Sequence, residues 1–164
     1  MIPEISKSAS NNPPLLHRKV LLVDEDLRDL HYYAAILQGH GHEFRIIPSY
    51  AEGWLALEKE HFDFVIINQG SREFEGRALL QRAIEIERHL PVLVLTDCLD
   101  MGCYLEAMQL GAADYLEKPV LAAELMRLIE THVRPYRIAA RATGAAELPR
   151  KGRIPLRRLR RGEP

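Results

Sequence analysis

No apolar run in this chain of 164 residues approaches the roughly 18 to 20 needed to cross a bilayer, and Met1 to Arg18 has no stretch resembling the core of a secretory leader. A cytoplasmic chain without membrane contact is expected. Cysteine is scarce, with Cys98 and Cys103 five positions apart in what reads as a loop and a helix start. Two thiols in a reducing compartment argue against a disulfide framework and do not supply a metal knuckle, so both read as small buried hydrophobes. Glycine never falls at the spacing of a dinucleotide or Walker phosphate loop, which disfavours nucleotide binding. There is no internal repeat. No paired general acid and base or activated nucleophile is visible either, so an enzyme is not expected.

What is present is a 47% hydrophobic composition, enough for one domain with a core and short flanking segments. The net charge of −1 hides an asymmetry. From Arg134 to Pro164 nine Arg and one Lys face Glu147 and Glu163, a balance of +8, whereas the remainder holds twelve basic and twenty-one acidic residues, a balance of −9. The body is acidic and the tail basic.

The chain is organised around Phe64-Val65-Ile66-Ile67, four adjacent apolar residues stopped by Asn68-Gln69-Gly70. Such a run reads as a central strand buried on both faces. Residues 1–18, with Ser8, Ser10, Asn11, Asn12, Pro13 and Pro14, read as a disordered lead-in. Lys19 to Asp24 is a second buried strand ending in Asp24-Glu25-Asp26. A helix follows from Leu27 through Leu30, Ala34 and Leu37 to a stop at Gly39 and Gly41. Phe44 to Ile47 is a brief strand, after which Ser49 caps a helix whose inward face includes Trp54, Leu55 and Leu57. After the central strand, Glu75 to His89 is helical with Leu79, Leu80, Ala83 and Ile84 inward, and Val92 to Thr96 is a strand. Asp100 to Leu110 is a helix, Ala113 to Leu116 a last strand before Lys118-Pro119, and Leu121 to Val133 a last helix. Five strands alternating with five helices predict a doubly wound α/β fold with a parallel sheet covered on both faces. His40 and His42 flank a glycine in a turn and read as exposed rather than metal-ligating.

Open sheets of this kind gather their sites beyond the carboxyl ends of the strands, here Asp24 and Glu25, Asn68, Thr96 and Lys118. Carboxylates suit a hard cation such as Mg2+, a hydroxyl can bind a phosphoryl oxygen, and an ammonium can neutralise another. The set outlines a phosphoryl-acceptor site.

At these residues Lys19 to Val133 resembles the receiver domain of two-component response regulators. The resemblance rests on Asp24-Glu25, Thr96, Gly111-Ala112-Ala113-Asp114-Tyr115, Lys118-Pro119, and Gly76 eight places after Asn68, in order across the domain. It implies a flavodoxin-like fold with strand order 2-1-3-4-5, a domain spanning 19–133, and a basic tail over 134–164, disordered after a helical extension. It also implies an Mg2+ site at Asp24 and Glu25, a switch pair Thr96 and Tyr115, a pocket lysine Lys118, and a cis peptide at Lys118-Pro119. In that family an Asp accepts the phosphoryl group where this chain has Asn68. A neutral amide is a poor nucleophile and brings one charge less to a cation, so the resemblance is to an atypical or pseudo-receiver with Mg2+ binding weakened or lost and no cofactor required. Arg72 stands where the family has Pro, and Asp97 replaces the small residue after the Thr. Ser71 and Glu73 are the further candidates for a substitute acceptor.

The expected function is a stand-alone signalling module of a phosphorelay, acting by protein contact without aspartyl phosphorylation. Its partner would be a histidine kinase, another regulator, or a second copy meeting it through helix four, strand five and helix five. The alternative is a nucleic-acid-associated regulator whose basic arm binds and whose receiver fold dimerises. The 31 residues after Val133 are too few for a helix-turn-helix output domain. At the crevice itself, Lys118 is expected to close the pocket with an ion pair.

Overall fold

The computed structural model describes residues 17–133; the basic tail and all but the last two residues of the lead-in lie outside them. Five strands alternate with five helices: β1 Lys19–Val23, α1 Leu27–Gly39, β2 Glu43–Ile47, α2 Tyr50–Lys59, β3 Phe64–Asn68, α3 Arg77–Ile86, β4 Val92–Thr96, α4 Met101–Leu110, β5 Asp114–Glu117 and α5 Ala122–His132. The strands form one parallel sheet in the order β2-β1-β3-β4-β5. Because the order reverses between β1 and β3, their connections leave toward opposite faces and open a crevice at the carboxyl edge.

The buried strands carry apolar residues on both sides, and their period of two sorts these onto two cores. Leu21, Val23, Val65, Ile67, Val92 and Val94 pack with Ala56 and Leu57 of α2, Leu79, Leu80 and Ala83 of α3, and Ala107 of α4. Val20, Leu22, Phe64, Ile66, Leu93 and Leu95 pack with Leu30, Tyr33 and Leu37 of α1 and Leu125, Met126, Leu128 and Ile129 of α5. Helix starts follow the capping residues: Asp26, Ser49 and Asp100 each accept from a backbone N–H in the first turn. Gly111 ends α4 in the left-handed region at φ 104°, where a side chain would be strained.

Three readings of the chain are corrected. Trp54 is 37% exposed and Leu55 50%, and α2 buries Gly53, Ala56 and Leu57 instead. The cause is close approach: a Cβ on Gly53 would lie 3.0 Å from Val23 Cγ2 and 3.1 Å from Leu79 Cδ2, so α2 docks by its small residues and turns the indole outward. Helix α3 begins at Arg77 rather than Glu75, because Glu75 is used to hold the preceding loop. Cys103 is buried but Cys98 is exposed. No helix among the described residues is long and apolar enough to cross a membrane.

Candidate functional site

The carboxyl edge brings Asp24, Asn68, Thr96 and Lys118 to the mouth of the β1–β3 crevice, each carried there as the last residue of a strand or the first beyond it. Asp24, Asn68 and Thr96 are buried, while Glu25 is exposed. The Lys118 side chain is 6% exposed and its ammonium donates to Asp24 Oδ2 at 2.7 Å and Asp29 Oδ2 at 2.6 Å, with Asp97 Oδ2 at 3.6 Å. Three carboxylates therefore face one buried cation. Asp29 lies in the first turn of α1 and has no sequence signal beyond its charge. The peptide bond between Lys118 and Pro119 is cis.

Burial pushes the Asp24 carboxyl up, only partly offset by the bonds from Lys118 and from the Asp26 N–H, and it ends above the ordinary carboxylate value. Burial pulls Lys118 the other way, but its bonds to Asp24 and Asp29 outweigh that and hold the ammonium above its usual value. Lys118 is thus charged at any neutral pH.

Asn68 ends β3 with only 7% of its surface exposed, and its Oδ1 has no hydrogen-bond partner among the described residues. Its backbone carbonyl accepts from the Tyr50 hydroxyl at 3.1 Å. The next residue, Gln69, is also buried; its Nε2 donates to Ser71 O at 2.9 Å and its Oε1 accepts from the Tyr115 hydroxyl. Tyr115 Oη in turn accepts from the Asp100 N–H at 3.4 Å. Thr96 Oγ1 donates to Cys98 O at 2.8 Å, so this hydroxyl is folded onto its own loop. Neither Tyr50 nor Gln69 has a sequence signal that marks it as a site residue. A Tyr at a helix start and a Gln after a strand become informative only once the loops are placed.

In the β3–α3 loop, Ser71 donates to Glu75 from its N–H at 2.6 Å and from its hydroxyl at 2.7 Å, and Glu73 N–H returns to Ser71 Oγ at 3.2 Å. Ser71 is therefore tied down. Tyr50, Trp54, Leu55, Glu75, Ala78 and Leu79 border an apolar recess of about 510 Å³ between α2 and α3.

The groups that could offer oxygen to a hard cation at this edge are Asp24, the exposed Glu25 and the unpartnered Asn68 Oδ1. The set fits Mg2+ in kind, with one charge fewer than three carboxylates would bring. Lys118 already occupies Asp24 Oδ2, and among the described residues no three His, Cys, Asp or Glu are grouped to hold a metal.

With the sheet order and this edge in view, comparison with known proteins decides the family. The response regulator receiver domain model matches residues 20–130. The chain belongs to the response regulator receiver domains. It is 36% identical over 114 residues to "Response regulator protein FleR" of Pseudomonas aeruginosa, covering 70% of this chain and 24% of that protein. To "Transcriptional regulatory protein ZraR" of Escherichia coli it is 28% identical over 111 residues, covering 68% of this chain and 25% of that protein. The chain thus spans about a quarter of the length of these relatives. A crystal structure of a receiver domain from Clostridium thermocellum superposes with TM-score 0.67 at 27% identity, covering 74% of this chain and 98% of that one. The flavodoxin-like arrangement of this receiver domain is therefore that of its family, and two-component signalling is its setting.

Proposed function

We propose that this receiver domain signals by protein–protein contact without aspartyl phosphorylation, because Asn68 stands in the acceptor's place. The observation that carries the reading is a neutral amide at the end of β3 beside Asp24, Thr96 and Lys118. An amide oxygen lacks the charge and basicity to attack phosphorus, whereas a carboxylate has both. A weakened cation site accompanies it, with Asp24, Glu25 and Asn68 Oδ1 as the groups that would hold Mg2+, which would supply positive charge at the crevice. The rest of the edge supports one fixed conformation: Tyr115 is tied to Gln69, Thr96 to Cys98, and Lys118 closes the crevice with its ion pairs.

The contact surface in this reading is α4, β5 and α5; Met101, Tyr104, Leu105 and Met108 are exposed on α4 and Leu99 in the loop before it. It suits a kinase, another regulator or a second copy in the cytoplasm. No enzymatic turnover is part of the reading. Incubation with acetyl phosphate and Mg2+ followed by intact-mass measurement tests it. The expected mass is unchanged; a stable adduct of one phosphoryl group would overturn the proposal.

A further inference from the structure

A buried ammonium needs compensating charge, because burial strips it of the water that would otherwise solvate it. Lys118 shares the crevice with Asn68, yet it makes no bond to Asn68 Oδ1, which is left without a partner. Its donors go instead to the carboxylates of Asp24 and Asp29, at 2.7 and 2.6 Å. Asp24 is the residue after β1, whereas Asp29 reaches in from α1, and its side chain is 30% exposed against 3% for Asp24. The second carboxylate on the lysine is therefore supplied from outside the strand ends.

We propose that Asp29 is a positioning residue that holds the Lys118 ammonium at the β1–α1 side of the crevice, taking the place of an acceptor carboxylate at position 68. The inference rests on the reading of Asn68 as the acceptor's stand-in. It adds that the loss of chemistry has two parts, a neutral residue at 68 and a lysine drawn away from it. Both parts act in one direction on an incoming phosphoryl group, because Asp29 withdraws a cation and adds a negative charge of its own.

The consequence is that Asn68→Asp alone restores the nucleophile but not its electrostatic support. With acetyl phosphate as donor, a carboxylate oxygen at 68 attacks phosphorus, the bond from phosphorus to the acetyl oxygen breaks, and acetate leaves with that electron pair, giving an acyl phosphate. The rate of this step is read by intact mass in the full chain with Mg2+ for Asn68→Asp, Asn68→Asp with Asp29→Asn, and Asn68→Asp with Asp29→Glu. Removing the Asp29 charge is expected to speed uptake roughly tenfold, the scale of coupling between contacting charged groups. The Glu variant keeps the carboxylate and is expected to stay slow, a pattern that a merely structural role for Asp29 would not produce. Equal rates in all three chains overturn the role of Asp29 and leave the reading of Asn68 standing. No uptake in any of them overturns the reading of position 68, and the Asp29 proposal falls with it.

Discussion

Asp24 is almost fully buried, and its carboxyl is held above the ordinary value mainly by that burial. A folded-state pKa above the unfolded one means that the native chain binds this proton more tightly. Asp24 therefore works against stability as pH rises from about its usual 3.8 through the raised value. Asp24→Asn removes the charge at nearly constant shape and leaves Asp29 and Asp97 facing Lys118. It is expected to raise stability at pH 7 by about 1 kcal/mol, the usual scale of single-site effects, with the gain vanishing near pH 3. Urea unfolding at both pH values checks it, and a loss at pH 7 would mean that the Lys118 pair outweighs burial. Lys118 has the opposite sign, contributing stability below its usual 10.5 that is lost only as pH passes its raised value. Gly76 is constrained by space rather than by φ, which is −69°. A Cβ there would run into the Asn68 carbonyl oxygen and lie 2.8 Å from Ile67 Cγ2. Gly76→Ala is expected to cost about 1–3 kcal/mol through overpacking, visible as a lower denaturation midpoint.

At the scale of elements, what could be read from the chain was what depends on neighbours in sequence. The apolar runs of β1, β3 and β4 announced buried strands, and Asp26, Ser49 and Asp100 sit where caps are needed. The face of α2 was not legible, because hydrophobicity favoured Trp54 and Leu55 while the distance between α2 and the sheet is set by Gly53. Gly53→Val would force α2 away from Val23 and Leu79 and is expected to lower stability by about 2 kcal/mol or more, measured by thermal unfolding. The candidate site divides the same way. Asp24, Asn68, Thr96 and Lys118 follow from strand ends, while Asp29 and Tyr50 reach the site from the first turns of α1 and α2, and Gln69, though it follows β3 directly, takes its role only from the Tyr115 hydroxyl that folding brings to it.

At the scale of the whole molecule, a body of −9 and a tail of +8 give the alternative function a test of its own. If the basic arm binds nucleic acid, duplex DNA should shift in a gel at low salt, lose affinity steeply as salt rises, and not shift at all once residues 134–164 are removed. Absence of a shift at low salt eliminates that reading. The outward turn of Trp54 also has an optical consequence. It is the chain's only tryptophan, 37% exposed, with its indole N–H on Glu58 at 3.0 Å and the Arg82 guanidinium 5.3 Å from the ring centre. The ring shares the recess between α2 and α3 with Tyr50, which bonds the Asn68 carbonyl, and Glu75, which anchors Ser71. The unlabelled protein is thus its own fluorophore, and a rearrangement around Asn68 that moves either neighbour would register as a change in the colour of its emission.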